Sequence, residues 1–167
     1  MLVISMKTKV NIMIVISLIL IGMDQLTKYY VIAKPRLYMI NDGYLFGIYG
    51  ANRLELVLIV NLSLVVAVVA FYFYRFYIKQ CRNSILMDVF VIFWISCILS
   101  NTIDRIRFGG GIDYIYMLGF YTNVADIYLD IGSIALMVEL IINRHCKVKL
   151  IDFVGYMIMK VRKLWKC

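Results

Sequence analysis

Four apolar runs, at 10–31, 54–77, 85–103 and 124–142, occupy roughly half of the chain. A helix of about 20 apolar residues crosses the hydrocarbon layer of a bilayer, and a crossing segment must satisfy its backbone hydrogen bonds internally. The runs therefore predict an all-α membrane protein with four transmembrane helices. The second run is the cleanest, with no charge between Leu56 and Tyr74, whereas the first and last carry acids near one end. Composition agrees: 63% of the 167 residues are hydrophobic and 17% charged, too apolar for a soluble surface. The apolar pattern continues past Asp24 with no small-x-small site after it, so the first run reads as a retained helix instead of a cleaved leader.

Basic residues set the expected orientation, because they concentrate on the cytoplasmic side of a membrane. Lys7 and Lys9 precede the first run, Arg75, Lys79 and Arg82 join the second to the third, and seven more lie between Arg144 and Lys166. Both termini are thus expected in the cytoplasm, with small extracytoplasmic loop elements at 32–53 and 104–123. Anionic lipid at the inner leaflet accounts for the formal charge of +8 without nucleic acid. The chain divides into a four-helix transmembrane unit, 1–146, and a basic amphipathic cytoplasmic tail, 147–167. In the tail, Lys149, Asp152, Lys160, Lys163 and Lys166 share a helical face opposite Ile151, Val154, Ile158 and Trp165, which reads as an interfacial helix.

Cys81, Cys97, Cys146 and Cys167 are scattered without the close pairs of zinc or redox motifs, and they read as small apolar fillers. His145, the sole histidine, sits in a basic flank, which argues against a Ser-His-Asp triad.

Ionisable groups in spans are costly and need a partner or a task. Asp24 and Lys28 are one helical turn apart and can pair. Asn101, Asp104 and Arg105 end the third run, and Gly109, Gly110 and Gly111 then turn the chain toward Asp113. Asn123, Asp126 and Asp130 open the fourth run, so all these groups fall at one membrane depth. Two adjacent carboxyls that cannot both ionise make an acid and a base, which together activate water for amide hydrolysis. The same residues also fit an ion-paired plug in which Lys28, Arg105 and Arg107 neutralise the acids. Spacing alone leaves both readings open, the plug being the commoner fate of intramembrane charges.

The motifs carry further. "DQLTKYYV" at 24–31, "NDGYLFGI" at 41–48, "NTIDR" at 101–105 followed by "GGGIDYI" at 109–115, and "NVAD" at 123–126 occur in this order. This series resembles signal peptidase II, the lipoprotein signal peptidase of bacteria. The resemblance implies an aspartic endopeptidase of the bacterial cytoplasmic (inner) membrane that removes the signal peptide from diacylglyceryl-modified prolipoproteins, with its site near the outer leaflet. It implies Asp113 and Asp126 as the catalytic dyad, and no metal or cofactor. Asn101, Arg105 and Asn123 would orient substrate and dyad, Asn41 and Gly43 would sit on a covering loop, and Asp24, Lys28 and Asp104 would support the site. Inhibitors of the globomycin type are expected to bind.

This chain departs from the pattern in three places. Ser96, Cys97 and Ser100 stand where the family prefers glycine, which should narrow a groove along the third span. The segments between Lys28 and Asn41 and between Asp113 and Asn123 are short, and Asp130 stands where a neutral residue is expected. A relative that binds lipoprotein or lipopeptide without cutting, as an immunity or resistance factor, would keep the same motifs. A proton relay built on the acids is the third possibility, although duplicated halves are lacking.

Overall fold

The computed structural model describes residues 5–34, 37–41, 43–44, 49–50, 53–81, 83–117, 119–146 and 149–165. Among the described residues five helices form: α1 (Met6–Ile32), α2 (Arg53–Gln80), α3 (Ile85–Phe108), α4 (Val124–Ile142) and α5 (Leu150–Leu164). Between them lie six short strands: β1 (Met39–Asn41), β2 (Gly43–Tyr44), β3 (Tyr49–Gly50), β4 (Gly111–Asp113), β5 (Ile115–Met117) and β6 (Phe120–Thr122).

Three helices, over Met6–Ile32, Leu56–Gln80 and Ile85–Phe108, are long and apolar enough to cross a membrane. The 19 residues of α4 coincide with the fourth apolar run and carry three acids, Asp126, Asp130 and Glu139. α3 is the hub, packing against α1, α2 and α4. Leu18, Leu62 and Met137, each more than 60% exposed, turn outward from the bundle. Such apolar exteriors are stable only against lipid.

α3 runs past the expected end of the third span, so Asn101, Asp104 and Arg105 lie on its last two turns instead of capping it. The helix stops at Gly109, whose φ of 79° gives the left-handed cap that glycine adopts without strain. Gly110 then passes so close to β1 that a Cβ there would stand 2.7 Å from the Asn41 carbonyl oxygen. β4 can therefore pair antiparallel with β1, in the register Met39 to Asp113, Ile40 to Ile112 and Asn41 to Gly111. β5 and β6 form a hairpin that returns the chain to α4. The glycine run thus turns the chain as its sequence predicts.

The other end of the bundle is knitted by aromatic packing and a separate polar network. Tyr74, Tyr77, Met87, Phe90 and Val91 are buried in one cluster. Buried Glu139 accepts hydrogen bonds from Tyr77 Oη at 2.8 Å, from Ser84 Oγ and from Asn143 Nδ2. Lys9 pairs with Asp88 at 2.8 Å. The fold pairs Cys81 with Cys146, Cα atoms 5.7 Å apart and placed to form a disulfide, which corrects their reading as scattered fillers. Their separation of 65 residues hides a pairing created by the converging ends of α2 and α4. Cys97 is buried and free.

α5 is the helix expected of the tail, and it packs across the end of α2. Phe153 stacks edge-on against Phe73 with ring centroids 5.5 Å apart, and Tyr156 meets Phe76 at 5.5 Å. The tail residues 147–148 and 166–167 lie outside the described residues.

Candidate active site

At the C-terminal end of α3, residues from four parts of the chain enclose a cavity of about 480 Å³. Asp113 and Asp126 both line it, near enough for their charges to repel. β4 delivers Asp113, and the first turn of α4 delivers Asp126.

Each carboxylate is held by neutral donors, one on each oxygen. Asn123 Nδ2 donates to Asp113 Oδ1 at 2.6 Å, and Asn41 Nδ2 donates to Asp113 Oδ2 at 2.9 Å. Asn101 Nδ2 donates to Asp126 Oδ1 at 2.9 Å, and Thr122 Oγ1 donates to Asp126 Oδ2 at 3.1 Å. Asn123 is also the N-cap of α4, its Oδ1 accepting from the Asp126 backbone N–H at 3.0 Å. One amide therefore starts the helix and ties its first turn to β4. Asparagine suits this task because it supplies a donor and an acceptor without adding charge.

The cation sits beneath. Lys28 is buried and bridges Asp24, at 2.6 Å, and Asp104. Its ammonium also donates to Asn101 Oδ1 at 3.2 Å, which turns the amide so that its N–H₂ faces Asp126. Asp24 accepts from the Ala125 backbone N–H at 3.1 Å, and Asp104 from that of Ile112 at 3.4 Å. The buried ion triad thus anchors α1 to the segments that carry both cavity aspartates.

The plug reading holds for Asp24 and Asp104 but not for the cavity pair. Arg105 donates to the Asn101 carbonyl at 3.3 Å and lines the cavity; among the described residues no carboxylate lies within ion-pair distance of it. Its fork of donors is available to a ligand. Between Asp113 and β5, burial and then the Asp24 charge push the Tyr114 phenol up to about 12, so it stays protonated.

Nine of the ten residues singled out in the sequence meet in this arrangement. Gly43 lies in β2 opposite Gly50, and no contact among the described residues joins it to the cavity. The remainder of its motif, Asp42 and 45–48, lies outside the described residues. Sequence reasoning missed Thr122 and Gln25. Gln25 Nε2 donates to Asp104 Oδ1 at 2.8 Å and to Ser100 Oγ at 2.9 Å; its place inside the "DQLTK" stretch was the available signal. The expected narrowing by Ser96 and Ser100 is also corrected. Both are fully buried: Ser100 Oγ donates to Asp24 at 2.6 Å, and Ser96 Oγ donates to the Ile92 carbonyl at 2.7 Å. Only Cys97 of the three lines the cavity, which Asp130 of α4 also lines.

Long apolar helices with a cavity lined by two aspartates at one end of the bundle define a helical membrane protein. The family model for signal peptidase (SPase) II matches residues 16–142. The chain belongs to the signal peptidase II family. It is 28% identical over 142 residues to a lipoprotein signal peptidase of Clostridioides difficile, covering 75% of this chain and 91% of that one. It is 31% identical over 144 residues to the lipoprotein signal peptidase of Streptococcus pneumoniae, covering 76% and 90%. A bacterial membrane enzyme solved by the in meso method at 2.3 Å resolution shares the fold, with a TM-score of 0.65, 24% identity and coverage of 83% and 93%.

Proposed function

We propose that this protein removes the signal peptide from lipid-modified prolipoproteins as an aspartic endopeptidase, with Asp113 and Asp126 as its dyad. The observation that carries the reading is that these two carboxylates line one cavity and, among the described residues, are held by neutral donors, while the buried lysine is engaged by other acids. A pair in that setting shares one proton. The ionised member takes a proton from water as the water attacks the scissile carbonyl; the protonated member then donates to the leaving amine. Arg105 would hold a substrate carbonyl, and Asn101 and Asn123 keep the carboxylates in place. Asn41 joins the site from the covering segment, and that role is extended to Gly43 by its motif.

The protein spans the bacterial cytoplasmic membrane four times, with α4 as the fourth span, both termini inside and the cavity near the outer leaflet. In α4 the three acids are each accounted for by the cavity or the Glu139 network, which makes a charged span tolerable. On this topology Cys81 and Cys146 face the cytoplasm, where thiols are held reduced. Mass-tagging in growing cells should find both free, and oxidant should close the bond. A bond already closed in untreated cells would reverse the orientation.

The deciding experiment incubates purified protein with a diacylglyceryl-modified precursor and follows the products by mass spectrometry. Release of the signal peptide, blocked by a globomycin-type inhibitor, is the expected result. An intact precursor that stays bound would identify a lipoprotein-binding relative instead. Asn123 offers a finer check. Asn123→Ala should cost about 1 kcal/mol of stability through the lost cap and about 10²-fold in cleavage through a displaced Asp113. Asn123→Asp keeps the cap oxygen but sets a second carboxyl against buried Asp113, so it should lose cleavage and also lower the melting temperature.

A further inference from the structure

We propose that α5 and the adjoining end of α2 form a binding site for an anionic phospholipid in the leaflet opposite the carboxylate cavity. α5 lies beyond residues 16–142, so it is an addition to the part of the chain that matches the family. Its ring contacts with the bundle come from one face, through Phe153 and Tyr156 against Tyr72, Phe73 and Phe76. The opposite face carries Ile151, Val154, Ile158, Val161 and Trp165, all exposed, with Trp165 at 87%. A helix that turns its apolar stripe away from its own bundle is satisfied by acyl chains.

Two cations converge where the helices cross. Lys79 Nζ lies 5.7 Å and Lys160 Nζ 5.9 Å from the centre of the Tyr156 ring. No carboxylate among the described residues lies within ion-pair distance of either, although Asp152 lines the same recess as Lys79. This open recess, of about 590 Å³, is floored by Phe76, Tyr156 and Met159. On the other side of Phe153 lies an apolar groove of about 400 Å³, lined by Val66, Ala70, Phe73, Trp94 and Leu140. Two ammonium groups around one tyrosine ring, with an apolar groove nearby, match a lipid phosphate and its acyl chain. A soluble anion would use the lysines alone and leave the groove and the exposed stripe without a role.

The test uses full-length protein, delipidated in detergent and offered phosphatidylglycerol or phosphatidylcholine of identical chains, with retained lipid counted by native mass spectrometry. Phosphatidylglycerol should be retained roughly tenfold better. The preference should vanish in Lys79→Gln/Lys160→Gln and persist in Lys34→Gln, a control at the other end of the bundle. Melting curves should differ only slightly across all three, since among the described residues these lysines make at most cation–π contacts and no ion pair. In nanodiscs, brominated phosphatidylglycerol should quench the emission that is lost in Trp165→Phe. Equal retention of the two lipids, a preference unchanged in the double variant, or full displacement by millimolar inorganic phosphate would each overturn the proposal. None of these readouts depends on peptidase activity.

Discussion

Asp113→Asn and Asp126→Asn should each abolish cleavage of a lipid-modified precursor, with a loss of about 10³-fold or more, while the protein accumulates in the membrane at its normal level. The separation of activity from folding follows from the geometry. Each aspartate accepts hydrogen bonds from uncharged donors, and among the described residues neither forms an ion pair. An asparagine carboxamide matches the carboxylate in shape and can turn its oxygen toward at least one donor. The variant therefore keeps most of its packing and loses only the group that exchanges a proton with water. Precursor cleavage and a melting curve on the same preparation check both halves. Full activity in either variant would remove the dyad from the mechanism.

Lys28→Met should have the opposite profile, a loss of fold first and of activity as its consequence. Asp24, Asp104 and Lys28 are all almost fully buried, and the ammonium is the cation shared by the two carboxylates. Removing it strands two like charges in a low-dielectric setting, which costs about 3–5 kcal/mol. The amide of Asn101 loses the contact that aims it at Asp126. A large drop in melting temperature in detergent is the expected result. The triple variant Asp24→Asn/Lys28→Met/Asp104→Asn, which removes the stranded charges together with the lysine, should recover a substantial part of that loss. If Lys28→Met melted like wild type, the triad would not be a structural anchor.

The two substitutions also show what the sequence made legible. Hydropathy located the long helices because burial in lipid imposes a run length on each, and α4 begins and ends with its apolar run. The Asp24–Lys28 pair follows from one-turn spacing, a local rule. That Asp104 shares the same lysine does not, because the contact crosses between α1 and α3. The end of α3 was misread for a different reason: a charge ends an apolar run, whereas the helix itself continues until glycine permits the left-handed turn. Ser100 looked like an obstruction in a groove, yet it is a hydroxyl donor to Asp24. Which way a side chain points on a helix depends on neighbours that a single run of sequence does not specify. Thr122 escaped notice for the same reason, as did the Cys81–Cys146 pairing.

The order in which the cavity is put together also bears on the protein's biogenesis. Asn41, Asn101, Asp113 and Asp126 lie on successive stretches of the chain, and β1 has no partner strand until β4 emerges. Asp113 precedes Asp126 in the chain, so a chain still emerging from the ribosome carries half of the proposed dyad until α4 follows. On the proposed chemistry, a partly inserted chain is inert toward the membrane peptides around it. Activity begins only when α4 docks, and completion of insertion then acts as the enzyme's own activation step.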